Sequence, residues 1–192
     1  VADLGAFRTI QRNLVSETRQ GQPITIAEMT ASGFRVARVP PLLGRTLLDA
    51  DEQPGAAPVI VIGYDIWQSQ FAGDRAIVGR QIRVGREAYT IVGVMPPRFA
   101  FPVRHEYWIP LRIDPRVPVP PGMGPELDVF GRLAPGATRE SAQAELSAIG
   151  RHLAADVDAA GVERVDDVRE PAADVVAGLE QRRHRRVLAG AR

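Results

Sequence analysis

Proline limits what this chain can fold into more than any other residue. Pairs at Pro40-Pro41 and Pro96-Pro97, and a proline-rich run from Pro115 to Pro125, interrupt the sequence where a longer helix or strand would otherwise continue. Proline has no backbone amide to donate and its ring clashes inside a helix, so each interruption ends a regular element. What remains is a series of short strands and helices. The longest apolar stretch, Ala56 to Ile62, contains Pro58 and falls far short of the ~20 residues that cross a bilayer.

Between the prolines the hydrophobic pattern changes period. Phe7–Val15 and Ile24–Met29 read as strands around a turn at Gln20–Pro23, and a helix is expected from Thr30 to Pro40 with Phe34 and Ala37 on one face. A loop then runs to Pro58. Val59–Ile62 is a continuous apolar strand feeding a helix, Tyr64–Phe71, that carries Tyr64, Trp67 and Phe71 on one side and stops at Gly73. Trp67 and Phe71 are expected to be largely buried. Gln81–Val84 and Tyr89–Met95 form a hairpin around Gly85, and Tyr107–Ile113 is a further strand. The segment from Pro115 to Pro125 is expected to be an exposed, extended loop, and Leu127, Val129, Gly131 and Leu133 alternate as a strand. Thr138 then caps a helix whose residues Ala142, Leu146, Ile149 and Leu153 make one apolar stripe, and a last strand is expected between Val162 and Val168. The order implies an α+β fold in two subdomains: a split β-α-β, ferredoxin-like layer and an inserted mixed subdomain, roughly residues 40–115, that contains the hairpin. The core domain is expected to cover 1–170, with 171–192 a basic C-terminal tail.

The 192 residues carry 24 basic and 23 acidic side chains, a net charge of +1, which disfavours a domain built to neutralise a phosphate backbone. All 24 basic residues are arginine. Without lysine there is no P-loop lysine and no Schiff base, and without cysteine no disulfide, thiolate metal site or cysteine nucleophile. The chain opens at Val1 with no leader-like pattern, as expected of a processed protein or a piece of a longer one.

Motifs that carry chemistry are absent: no GxSxG, HExxH, GxGxxG or glycine-rich phosphate loop occurs. His105, His152 and His184 lie far apart and read as ordinary surface or packing residues. The acidic turn Asp49, Asp51, Glu52 has the ligand type of a hard-cation site without its spaced array, and reads as solvated loop chemistry. Glu126 and Asp128 share a strand face with Phe130 but have no partner acid or base of defined role. The block Arg182, Arg183, His184, Arg185, Arg186 can grip phosphates, yet no aromatic residue interleaves it for base stacking. No catalytic, cofactor-binding or metal-binding residue is assigned.

The most specific text is a long ordered series. It runs through Gly44-Arg45-Thr46-Leu47, Pro58-Val59-Ile60-Val61-Ile62, Trp67, Phe71, Gly73-Asp74 and Ile77-Val78-Gly79-Arg80. It continues through Tyr89-Thr90-Ile91-Val92-Gly93-Val94-Met95-Pro96-Pro97, Phe99, Phe101-Pro102, Trp108-Ile109-Pro110-Leu111, Gly131-Arg132-Leu133, Pro135-Gly136 and Ala142-Gln143-Ala144-Glu145-Leu146. In order and spacing this resembles the MacB-like periplasmic core domain of ABC transporter permeases of the FtsX/MacB type, in the branch of duplicated orphan permeases. The resemblance covers about residues 4 to 170. It implies a non-catalytic domain without cofactor, on the periplasmic side of the bacterial cytoplasmic membrane, between the first two transmembrane helices of a permease. It also implies partnership with those helices, with a cytoplasmic ATPase that binds the nucleotide, and with a periplasmic adaptor or second permease copy, but not with nucleic acid. The basic block at 182–186 departs from the charge expected where a chain re-enters the membrane from outside. Two readings from other classes stand beside it: a stand-alone module using the arginine tail on nucleic acid or anionic lipid, and a metal-assisted hydrolase built on Asp49 to Glu52.

Overall fold

A computed structural model describes residues 3–16, 19–113 and 124–159. The expected strand at Val162–Val168, the loop tip at 114–123 and the basic tail lie outside them. Strands β1 (Asp3–Ser16) and β2 (Arg19–Met29) form a long antiparallel hairpin, followed by α1 (Ala31–Ala37). Next come β3 (Leu43–Gly44), a 3-10 turn (Asp49–Glu52), β4 (Val59–Ile62), α2 (Tyr64–Phe71) and a second 3-10 turn (Arg75–Ile77). The chain continues through β5 (Gln81–Val84), β6 (Glu87–Val94), β7 (Tyr107–Pro110), β8 (Asp128–Arg132) and α3 (Arg139–Ala159). The α+β class expected from the sequence is what is found, as one eight-stranded mixed sheet.

The pairings of that sheet close on themselves. Going around, β1 pairs β2, β2 pairs β7, β7 pairs β4, β4 pairs β6, β6 pairs β5, and β5 returns to β1 through Leu14↔Val84 and Val15↔Arg83. Segment 43–110 therefore shares its sheet with the β1–β2 hairpin at two separate points. The remaining strand, β8, extends the sheet from the opposite end of β1, where Leu4 faces Gly131 and Ala6 faces Val129.

The β4 and β7 strands are buried on both faces, which is why their sequences are unbroken apolar runs rather than alternations. One face, with Ile60, Ile62, Tyr107 and Ile109, joins Ile24, Ile26, Ile91 and Trp67 in one core. The other, with Val59, Val61 and Trp108, joins Met29, Phe34, Met95 and Phe101 in a second core under α1. Both indoles satisfy their N–H groups: Trp108 Nε1 donates to the Phe101 carbonyl and Trp67 Nε1 to that of Asp74, each at 2.8 Å. Gly93 sits at the register slip between β4 and β6, where a Cβ would come within 2.0 Å of the Arg45 carbonyl oxygen. Only glycine lets β3 pair there.

Several expectations shift. Gln20–Pro23, expected as a turn, belongs to β2: Pro23 lies opposite Asn13, at a stretch where β2 has no pairing with β7 and so tolerates a missing amide. The α1 helix stops at Ala37 rather than Pro40, because Arg38 turns into the left-handed region (φ 53°) and its amide closes on the Phe34 carbonyl. The β7 strand ends at Pro110, not Ile113. Trp67 is buried as expected, but Phe71 is only partly buried, its ring packed against the core and covered outside by the Arg80 guanidinium at 5.6 Å. The apolar stripe of α3 is the largest departure: Ala142 is buried, while Leu146 and Ile149 remain 43% and 50% exposed. Thr138 caps that helix as expected, accepting from the Ser141 amide at 3.2 Å.

Candidate functional site

The acidic turn proves to be a structural clamp. Asp51 is 8% exposed, and both its oxygens are taken: Arg45 donates to Oδ2 at 2.6 Å and to Oδ1 at 3.0 Å, and the Leu48 amide donates to Oδ2 at 2.8 Å. Burial alone would raise the carboxyl pKa; the Arg45 hydrogen bonds, the Leu48 amide and the nearby charges of Arg45 and Arg112 outweigh it and hold it below 3.8. Arg112 reaches back from beyond β7 to donate to the carbonyls of Asp51 at 3.0 Å and Ala57 at 2.9 Å. Glu52 accepts from the amide of Ala31 at 2.6 Å, so it satisfies the first turn of α1 in place of Thr30, whose hydroxyl instead accepts from the Ala6 amide. Asp49 pairs with Arg35 on the same helix. Asp51 and Glu52 are thus not solvated loop residues: Asp51 ties the turn to Arg45 after β3 and Glu52 ties it to α1, while Asp49 stays exposed. Among the described residues no three His, Asp or Glu side chains converge as metal ligands would.

The histidines do not meet. His105 is 4% exposed, its Nε2 hydrogen-bonded at 3.0 Å to Thr9 Oγ1 of β1, its ring edge-on to Phe7 at 6.0 Å, and its Nδ1 without a hydrogen-bond partner. Burial lowers its pKa, against a smaller opposing effect of the Val103 backbone. His152 is exposed on α3, and His184 lies outside the described residues with the rest of the basic block. Glu126 and Asp128 are exposed; Phe130, on the inner face of β8, packs instead on Phe7 and Phe101.

Sequence reasoning missed a cleft. The β4 strand runs parallel to β6 and antiparallel to β7, so the loops at their ends converge: Gly63 and Asp65 at the start of α2, Arg98 after the Pro96-Pro97 exit, and Arg104, His105 and Glu106 before β7. They line an open cleft of ≈ 480 Å³. The wall is tied by the Gly63 amide, which donates to the Glu106 carbonyl at 2.7 Å. The position, outside the carboxyl ends of two parallel strands, is where loops in α/β sheets most often hold ligands. Arg98 adopts φ 65°, a conformation uncommon for a side-chain-bearing residue. No periodicity or spacing in the sequence marks these six residues as neighbours.

The fold, rather than the cleft, is what solved structures share with this chain. The periplasmic region of MacB from Actinobacillus actinomycetemcomitans superposes with a TM-score of 0.61 at 13% identity, over 78% of this chain and 66% of that one. A domain described as a permease protein from Porphyromonas gingivalis gives 0.50 at 17% identity, over 77% and 69%. The extracellular domain of the noncanonic ABC-type transporter YknZ from Gram-positive bacteria gives 0.47 at 18%, over 58% and 55%. The chain thus spans 55% and 66% of the YknZ and MacB domains. No curated protein matches. Residues 3–149, most of the chain and all of its described strands, match the family description itself, and the chain belongs to the MacB-like periplasmic core domains, the extracytoplasmic domains of MacB-type ABC transporter permeases.

Proposed function

We propose that this domain is the non-catalytic outer part of an ABC permease, converting nucleotide-driven movement of membrane helices into movement outside the membrane. The observation that carries the reading is the family match over residues 3–149. ATP is consumed by a separate cytoplasmic subunit or domain, and the domain meets a periplasmic adaptor or a second permease copy. In this reading residues 1–170 form the core domain, 40–115 its inserted subdomain and 171–192 a basic tail. The topology supplies a path for motion: β1 pairs with β8 at residues 3–7 and with β5 at residues 14 and 15, so one strand links the β8 end to the closed cycle of strands. A ligand shifts such an equilibrium only through differential affinity for two states, so the outer domain must differ between nucleotide-bound and nucleotide-free transporter.

The absence of cysteine makes the test direct, because labels attach only where cysteines are introduced. Spin labels at Arg83→Cys on β5 and Val129→Cys on β8, both exposed, report the distance between the two regions in the assembled permease. The expected result is a distance distribution that changes between nucleotide-free and ATP-bound states. An unchanged distribution through the ATPase cycle overturns the coupling. Calorimetry of the isolated chain with magnesium and ATP should show no binding heat, since no lysine or glycine-rich loop is present to cradle the phosphates.

A further inference from the structure

His105 joins two parts of the chain that lie 96 residues apart. Its Nε2 is hydrogen-bonded at 3.0 Å to Thr9 Oγ1 of β1, and its ring stands edge-on to Phe7 of the same strand. The loop that carries it leads into β7, and the next carbonyl along, that of Glu106, accepts from the Gly63 amide before α2. One side chain thus fastens that loop to β1. The fastening suits one charge state. A neutral imidazole has one N–H and one lone pair, so Nε2–H can donate to Thr9 while the lone pair on Nδ1 goes without a partner. The imidazolium has two N–H groups, and in a residue 4% exposed, with no hydrogen-bond partner at Nδ1, the second has no acceptor placed for it. No carboxylate balances the charge. From β1 the ring meets Phe7 and Thr9, while Arg8 on that strand is paired with Glu28 of β2. Arg98, Arg104 and Glu106 of its own loop and Asp65 of α2 are exposed, and none of them moves the ring's pKa. Burial lowers that pKa from 6.5, and the Val103 backbone, the one group that favours the charged ring, opposes to a smaller extent.

We propose that His105 is an acid-released latch between β1 and the loop before β7. Neutral, it holds the loop on β1 through Thr9; with a proton taken from solvent, the imidazolium turns out to water, where both N–H groups are solvated, and the loop comes off the strand. The unfastened ring binds its proton more tightly than the fastened one. Latching is therefore complete above about 6.5 and is lost as pH falls through the lower, folded value. The latch is independent of nucleotide coupling, so its failure leaves the permease reading untouched.

The test follows amide hydrogen exchange and the His105 ring of the 192-residue chain by NMR from about pH 7 to about pH 4.5. Gly63, whose amide bonds the carbonyl next to His105, reports the latch, and Gly79, whose amide bonds the Ile91 carbonyl, is the control. Exchange protection at Gly63 should fall at least about fivefold as the His105 ring titrates, while protection at Gly79 holds. In His105→Gln, which keeps a donor for Thr9 but takes no proton, Gly63 should keep its protection over the same range. Constant protection in the parent, or the same loss in His105→Gln, overturns the latch. Thr9→Val removes the oxygen at the other end of the bond, so protection at Gly63 should already lie at least about fivefold below the parent near neutral pH. Unchanged protection in that variant overturns the proposal. If His105→Gln fails to fold, Thr9→Val decides alone.

Discussion

Ile60, Ile62 and Trp108 on β4 and β7 are sealed from solvent, whereas Val129 on β8 is 59% exposed and Leu146 and Ile149 on α3 nearly as open. The residue types are alike and both regions have regular secondary structure. They differ in closure. The β4 strand has a paired neighbour on each edge and a packed core on each face. The β8 strand has β1 on one edge, and only its Phe130 face, toward α1, is covered, with Gly33 of α1 close enough that an added Cβ would lie 3.1 Å from the Phe130 ring. On the outward face of β1 and β8, Leu4 and Val129 remain 47% and 59% exposed. An amphipathic pattern states which face of an element is apolar; whether that face is buried depends on what the rest of the chain brings to it.

The largest expected effect lies in the closed region. Trp108→Ala should cost about 3–5 kcal/mol, because it empties a fully buried site and strands the Phe101 carbonyl. Denaturant unfolding measures it; a loss under about 1 kcal/mol would mean that the second core is not the packed body described. An intermediate effect belongs to the clamp between the regions. Asp51→Asn should cost about 1–3 kcal/mol at neutral pH by weakening the bond to Arg45. Because the folded pKa of Asp51 lies below its ordinary 3.8, its contribution is fully present well above that value and is lost as pH falls through the folded value. Unfolding measured from pH 7 down to about 2 should show a shallower acid limb for the variant than for the parent. Parallel limbs would mean that the clamp does not titrate. The smallest effect is expected at the open end: Leu146→Gln with Ile149→Gln should change stability by no more than about 0.5 kcal/mol. A loss of 2 kcal/mol or more would show that these side chains are covered in solution and would erase the contrast.

How much of this was legible depended on distance along the chain. Val59–Ile62, Tyr64–Phe71 and Gln81–Val84 coincide in sequence expectation and structure because their signals are local: an apolar run, a helical face ended by Gly73, and a turn at Gly85. The two-residue β3 was hidden in an expected loop, since it exists only because Gly44 and Gly93 let two backbones approach. The acidic turn was visible as a cluster but its purpose was not, because Glu52 caps a helix 21 residues away and Arg112 binds the Asp51 carbonyl across 61. The cleft was illegible for the same reason. Gly63, Arg98 and His105 become neighbours through strand pairing, and that pairing is set by the whole sheet rather than by any window of sequence.

The cyclic pairing of six strands also decides where this protein can be captured by its own kind. A strand bonded on both sides presents no free row of amides and carbonyls, and so cannot template addition of a foreign strand. Every strand of the cycle has a neighbour on each side along part of its length; residues 19–26 of β2 lie against β1 alone, but that stretch carries Pro23, which cannot donate to an added strand, and β3 is too short to serve as a template. The outer edge of β8 is different: five residues, bonded among the described residues to β1 on one side only, with Val129 beside it exposed to solvent. Of the described edges β8 is therefore the one least protected against addition of a foreign strand, and a charged residue in place of Val129 is the substitution that guards it.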